Sequence, residues 1–314
     1  MDPIRRAVID VGTNSVKLLV ADVAGNEVRP VCEQSKQTRL GHGFYETRTL
    51  KPEAISATAT AVAAFSTQAR EAHAVSVRVI ATSAAREALN REELTAAIEH
   101  AANLKVEVIS GAQEAEWGFR GVTTDPQLAR MILLLMDVGG GSAQFTLGGN
   151  GRELSSSSFP LGAVRLLERF PCSDPPQPAE LAACRQWLKA FLQQEVRPKL
   201  LPGMGQLNAG SSDAVQLVGV GGAATILACM EARLETYDRA RIEATRLSAA
   251  RVSWHLERLW GLPLEQRKQT IGLPKNRADI ILTGAAIYQA VMEEFGFREL
   301  RVSTRGLRFA AVMS

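Results

Sequence analysis

Aromatic residues make up only 5% of the 314 positions, so the cores have to be filled by Ala, Val, Leu and Ile, the side chains that pack between helices and a parallel or mixed sheet. Cys32, Cys172, Cys184 and Cys229 are scattered, with no C-x-x-C pair and no histidines at ligand spacing. That excludes a disulfide framework and a zinc site and implies reduced thiols. No apolar stretch reaches spanning length and the amino terminus carries no signal-like apolar core, so a cytoplasmic location without a membrane partner is expected. Thirty-six basic residues against 33 acidic ones leave a net charge of +3, too slight a surplus for a dedicated nucleic-acid binder, and no nucleic-acid partner is expected. No glycine precedes any of the eight lysines and no G-x-S-x-G occurs, which removes P-loop and serine-hydrolase chemistry. His42, His73, His100 and His255 stand alone, each an ordinary surface or core histidine.

What is present suits two domains of an α/β class, each long enough to bury its own core. Strand-like runs at 7–10, 16–23 and 28–31 open the chain as a meander turning at Ala24-Gly25-Asn26-Glu27. A helix is expected at 52–70 behind Pro52, strands at 75–81 and 106–109, and a charged helix at 91–101 between them. The continuous apolar run 131–136 then ends on Asp137 as the first strand ends on Asp10. Beyond it lie a hairpin turn at Gly148-Gly149-Asn150-Gly151 and a long helix from 179. A strand at 215–220, a long helix at 277–294, a strand at 300–303 and a helix at 307–313 complete the pattern.

Aligning Asp10 with Asp137, an interval of 127 residues, superimposes Ile9 on Met136, Val11 on Val138, Gly12 on Gly139, Ser15 on Ser142 and Leu18 on Phe145. A strand, an Asp-Val-Gly loop, a serine and a second strand recurring at a domain-sized interval are what a duplicated domain leaves. The pattern breaks at Thr123-Thr124-Asp125-Pro126, giving domains 1–125 and 126–303, with a helix at about 304–314 free to return to the first.

A carboxylate at a strand end, followed by glycine and small hydroxyl residues, exposes backbone N–H groups that cradle phosphate oxygens, while the acid itself suits a divalent cation such as Mg²⁺. Either loop by itself is equally an ordinary Asp-x-Gly turn; their repetition favours the phosphate reading. Gly219-Val220-Gly221-Gly222-Ala223-Ala224 fits G-x-G-x-x-A, but the charged stretch 231–246 offers no second strand ending in an acid, so a turn facing a phosphate, through Gly221 and Gly222, is preferred to a dinucleotide site. Glu114 follows the turn Ser110-Gly111, where a carboxylate can orient and deprotonate water, and where a capping box and the helix dipole would also favour an acid without any catalysis. Arg86 follows a strand end, placed either to reach a phosphate or to sit on the surface. Arg39, Lys268, Lys275, Arg277, Arg305 and Arg308 could extend a basic track, although scattered charges usually form a solvated face.

Taken together, residues 7–19, 81–90, 108–115, 136–142, 218–223 and 277–284 resemble the Ppx/GppA family of exopolyphosphatases and guanosine pentaphosphate phosphohydrolases, through I-D-x-G-[ST]-N-S, S-G-x-x-E-A and D-x-G-G-G-S. The resemblance implies two ribonuclease-H-like domains of the actin-like ATPase superfamily flanking an active-site cleft. It implies Glu114 as the base that activates water, and Gly12, Thr13, Asn14, Ser15, Arg86, Gly139, Gly140, Gly141 and Ser142 as phosphate-binding. It further implies Asp137, with Asp10 as a second candidate, as the ligands of Mg²⁺ or another divalent cation, and a homodimer. The substrate it implies is inorganic polyphosphate, of short chains because the chain looks like the short form of the family, or guanosine pentaphosphate. Two departures stand out. Ala143-Gln144 replaces the S-[TS]-E that usually follows the triple glycine, which puts a neutral amide at Gln144 and opens the possibility of a polyphosphate or nucleotide sensor without turnover. Gly306-Leu307-Arg308-Phe309-Ala310 stands where relatives show G-L-R-E-G, and is expected to alter helix packing. The paired loops alone would equally serve an ATP-dependent sugar or acetate kinase; the S-G-x-x-E-A segment argues for hydrolysis.

Overall fold

The computed structural model describes residues 2–210 and 215–314. They divide into two compact units, Met1–Asp125 with Arg305–Ser314, and Pro126–Thr304.

The first unit is built on β1 (Ile4–Val11), β2 (Ser15–Ala24), β3 (Glu27–Gln37), β4 (Ser76–Ala81) and β5 (Val106–Val108), in the order β3-β2-β1-β4-β5. β1 runs antiparallel to β2 and parallel to β4, so it is central and apolar on both faces. Alternation decides which side chains go where. Ile9, Val11 and Leu18 face α1 (Pro52–Glu71) and α3 (Arg91–Ala102), meeting Val62, Phe65, Leu94 and Ile98. Between those helices in sequence lies the short α2 (Ser83–Glu87). Val8, Leu19 and Ile80 face the other way, against Trp117 of α4 (Gly111–Val122) and Leu307 and Phe309 of the C-terminal helix, Leu307–Ala311. That helix docks closely because Gly121 and Gly306 carry no side chain: a Cβ on Gly121 would lie 2.1 Å from the Gly306 carbonyl oxygen. β3 extends well past the apolar run 28–31. Its ladder with β2 continues to Gln37 through a bulge at Val20/Ala21, and as an edge strand it tolerates exposed polar residues and Pro30.

The second unit carries β6 (Ile132–Val138), β7 (Ala143–Gly149), β8 (Arg152–Phe159), β9 (Gln216–Val220), β10 (Arg246–Ser248) and β11 (Glu299–Val302), in the order β10-β11-β9-β6-β7-β8. Followed from β8, the first five strands repeat the order of the first unit, with β10 added antiparallel at the far edge. β7 and β8 meet at Asn150 and Gly151, both at positive φ, as a tight hairpin turn requires. Its helices include α5 (Ala163–Arg169), α6 (Pro178–Phe191), α7 (Gly221–Glu231), α8 (Ala249–Trp260) and α9 (Ile281–Phe295). α9 is the buried centre of the helical layer, where Ile287 and Val291 share a core with Met136, Phe145, Leu188 and Leu227. It begins at Ile281 and not at 277, because Lys275–Arg277 forms a 3-10 turn and the Asp279 carboxylate accepts the Ile280 N–H at 3.0 Å, which ends that turn before the helix starts. Among the described residues no helix is long and apolar enough to cross a membrane.

Candidate active site

Asp10 and Asp137 occupy matching places. Each is the penultimate residue of its strand, and each loop is closed by the same backbone bond, Gly12 N–H to Ser15 O at 3.0 Å and Gly139 N–H to Ser142 O at 2.9 Å. A Cβ on Gly12 or Gly139 would come within 3.1 Å of that serine oxygen, so glycine permits the turn in both. Each loop is then held from outside. In the first, Thr38 and Arg39 donate backbone N–H groups to Asn14 O and Gly41 donates to Thr13 O at 2.7 Å. In the second, the start of α5 takes over: Ala163 donates to Gly139 O, Val164 and Arg165 donate to Gly140 O, and the Arg165 guanidinium reaches Gly141 O at 2.7 Å. Occupying the carbonyls in this way fixes the loop backbones. Sequence reasoning missed both clamps, whose only local signal is Gly162, where a Cβ would strike Gly140 O at 2.4 Å.

The two loops differ in polarity. In the first, Asn14 accepts from Gln37 Nε2 through Oδ1 and leaves Nδ2 buried without a partner, a donor suited to an anion. Burial pushes the Asp10 carboxyl above the ordinary carboxylate range, while the charges of Lys17 and Arg308 pull it back. In the second, Gln144 donates from Nε2 to Ser142 Oγ (2.9 Å) and Ser158 Oγ (3.1 Å) and leaves Oε1 buried without a partner, an acceptor suited to a cation. Asp137 lies directly across the ladder from Gln144, on the same face of the sheet.

Gly221 supports this second loop. It follows β9 and opens α7 at φ +87°, and a Cβ there would meet Asp137 Oδ1 at 2.8 Å, so the Gly221-Gly222 start of the helix is the wall against which the carboxylate rests. Behind it the Tyr288 hydroxyl lies 2.8 Å from Val220 O and 3.2 Å from Met136 O, joining the ends of the two parallel strands. Complete burial, with the Asp137 charge nearby, holds that phenol well above its ordinary pKa and therefore protonated.

In the first unit, Glu114 sits in the opening turn of α4, capped by Ser110 Oγ accepting the Gln113 N–H. Its side chain is 7% exposed, and its Oε2 accepts from Arg86 Nη1 at 3.1 Å. The same nitrogen donates to Ile109 O at 2.9 Å. Arg86 and Glu114, separate candidates in the sequence, thus form one part-buried ion pair that holds the carboxylate. Of the residues expected on a basic track, Lys268, Arg305 and Arg308 are engaged by Glu265, by Thr124, and by Leu18 O with Glu33. Among the described residues no three His, Cys, Asp or Glu side chains converge as a metal site. A site of one carboxylate and one amide, as at Asp137 and Gln144, would not make such a group.

Residues 19–314 match the family model described as the Ppx/GppA phosphatase family. Exopolyphosphatase 2 of Mycobacterium tuberculosis is 35% identical over 312 residues, covering 95% of this chain and 94% of that protein. A crystal structure of an exopolyphosphatase from Cytophaga hutchinsonii superimposes with a TM-score of 0.83 at 27% identity, covering 98% of this chain and 96% of its own. The PPX-GPPA enzyme of Aquifex aeolicus superimposes with a TM-score of 0.77 at 27% identity, covering 99% of both chains.

Proposed function

The chain belongs to the Ppx/GppA phosphatase family, and from that premise we propose that it is an exopolyphosphatase releasing terminal phosphate from inorganic polyphosphate, with short chains preferred. The observation that carries this reading is the pair of the buried Glu114 carboxylate with the half-buried Arg86 at the start of α4. A carboxylate held in one rotamer by a guanidinium accepts a proton from water without having to be ordered first. In the reaction the oxygen of that water attacks the terminal phosphorus, the bridging P–O bond opposite it breaks, and the proton passes to Glu114. The products are orthophosphate and a chain shorter by one unit.

Both units are read as ribonuclease-H-like, and each carries a phosphate loop of its own. The backbone N–H groups of Gly12 to Ser15, the orphaned Asn14 amide and those of Gly139 to Ser142 bind phosphate oxygens. Arg86 binds a phosphate oxygen with a guanidinium nitrogen other than the one committed to Glu114, and Gly221 and Gly222 line the substrate's path. The residues present fit a divalent cation such as Mg²⁺, since the unpartnered Oε1 of Gln144 and the carboxylate of Asp137 are both hard oxygen donors. Such a cation, when bound, neutralises charge on the phosphate being transferred.

Phosphate release measured with short polyphosphate, long polyphosphate and guanosine pentaphosphate tests the assignment, with Glu114→Gln as control. Fastest release from short polyphosphate, lost in the variant, is the expected outcome. A preference for guanosine pentaphosphate reassigns the substrate, and tight binding with no release under any divalent metal makes the chain a sensor.

A further inference from the structure

Asn14 is only 7% exposed and is held through both its main chain and its side chain. Its main-chain oxygen accepts the N–H groups of Thr38 at 3.2 Å and Arg39 at 3.0 Å, and its side-chain Oδ1 accepts from Gln37 Nε2 at 3.2 Å. Of the side chain, Nδ2 is left buried without a partner. An amide whose oxygen is committed has only its NH₂ group to offer a ligand, so the hydrogen bond from Gln37 decides which end of Asn14 is available.

Gln37 reaches that place through an irregularity in the sheet. β2 and β3 pair Ala24 with Glu27 and Ala21 with Pro30, but Val20 with Cys32, so Val31 is an extra residue on β3 and stands 45% exposed. A bulge of this kind shifts the register by one residue. Beyond it Ser15 pairs with Gln37; in the unshifted register Ser15 would face Lys36, and the side chains of β3 beyond the bulge would change faces. The bulge thus sets a neutral donor, and not an ammonium, beside the loop. The second sheet has the same step at the equivalent residues, where Leu147 pairs with Ser155 and Gly148 with Glu153, leaving Leu154 as the extra residue. There the position matching Asn14 is Gly141, which has no side chain to orient. The first loop carries an amide donor that the second lacks, and the bulged edge strand brings the residue that holds it.

We propose that Gln37 is a positioning residue for the first loop: by donating to Asn14 Oδ1 it fixes the amide so that Nδ2 donates to a phosphate oxygen of the polyphosphate chain. Gln37 itself touches no substrate atom. A carboxylate in its place would accept from Nδ2 and take the donor away, and an apolar side chain would let the amide turn over. The proposal rests on reading residues 12–15 as a phosphate loop. The bond from Nδ2 exists before phosphoryl transfer as well as during it, so losing it weakens binding and leaves the chemical step alone.

Calorimetric titration of the full-length protein with tripolyphosphate and Mg²⁺, in the Glu114→Gln background to suppress turnover, provides the test, beside steady-state phosphate release in the natural background. Gln37→Met fills the space without a donor and should weaken binding about three- to tenfold, the worth of one hydrogen bond. In steady state KM should rise by that factor while kcat stays within about twofold. Gln37→Glu should weaken binding more than Gln37→Met does. Asn14→Ala should weaken it by itself, and adding Gln37→Met to Asn14→Ala should cost nothing further, because the two residues act as one unit. Additive effects of those two substitutions, an unchanged affinity in Gln37→Met, or a fall in kcat at constant KM overturns the proposal. If Gln37→Met does not fold, as its circular dichroism would reveal, the Asn14 side-chain amide followed by NMR in the Glu114→Gln protein still decides: its resonances should shift on adding tripolyphosphate, and their staying in place overturns the proposal. Absence of phosphate release together with the expected binding cycle would remove the hydrolase reading and leave this one standing, whereas release with additive binding effects would do the reverse.

Discussion

One guanidinium nitrogen of Arg86 lies 3.1 Å from Glu114 Oε2 and 2.9 Å from the Ile109 carbonyl oxygen. The contact ties the end of α2 to the segment leading into α4, so the position of the proposed base depends on a residue 28 places earlier. Glu114→Gln keeps the shape and an acceptor for Arg86 but removes the basicity. Phosphate release should fall by about 10²–10⁴ with the fold intact by circular dichroism; activity within a few-fold of the original would sink the assignment. Arg86→Ala should act differently, leaving a carboxylate buried without its main cation and lowering stability by about 3 kcal/mol in urea unfolding.

Gly221→Ala should disable the second loop. The residue sits at φ +87°, and the added methyl would meet Asp137 Oδ1 at 2.8 Å and Val138 O at 2.9 Å. The backbone strain is of order 1–3 kcal/mol, and the carboxylate has to move. The expected result is a soluble protein with a lowered melting temperature and at least tenfold weaker Mn²⁺ binding. Gly222→Ala is the matched control, since a Cβ there meets nothing within 4 Å.

Tyr288→Phe keeps the ring against Gly219 but removes the hydroxyl that joins Met136 O and Val220 O. A loss of about 1–2 kcal/mol is expected, together with faster amide hydrogen exchange at the ends of β6 and β9. Unchanged exchange there would show that the strand ends are held by the sheet alone.

His255 supplies a pH dependence. Burial lowers its pKa below the ordinary histidine value, partly offset by the Glu231 carboxylate 2.7 Å from Nε2, while Arg251 and Arg258 add to the lowering. Because the folded pKa is depressed, the unfolded chain binds the proton more readily. The contribution is intact above the unfolded pKa of about 6.5 and is lost as pH falls toward the folded value. Urea midpoints should therefore drop on going from pH 7 to pH 5, and His255→Gln should flatten that drop.

The two loops were legible in the sequence because Asp-Val-Gly after an apolar run is local punctuation, and the repeat shows up again as matching strand order and the same closing hydrogen bond. The structure added what depends on distant chain. The clamps from Thr38, Gly41 and Arg165, the pairing of Arg86 with Glu114, and the Tyr288 bridge join residues whose local sequence carries no trace of their partners. Phe309 illustrates the limit. It is fully buried in one cluster with Trp117, Ile80 and Ile109, and only the other side of that cluster could have announced it. The start of α9 was misplaced for the opposite reason, since apolar periodicity continues through a segment whose backbone turns on Pro274 and Asp279.

The helix Leu307–Ala311 belongs to the first unit although it is made after the whole of the second. On a ribosome, β1 to β5 and α4 emerge early, but the apolar surface formed by Val8, Leu19, Ile80 and Trp117 waits for Leu307 and Phe309. Residues 126–304 come between them, and at ~5–20 residues per second they take on the order of 10–40 s to synthesise. During that interval the nascent chain carries an open apolar face beside α4. The first unit's second apolar cluster is therefore completed only by a segment that is made after the second unit.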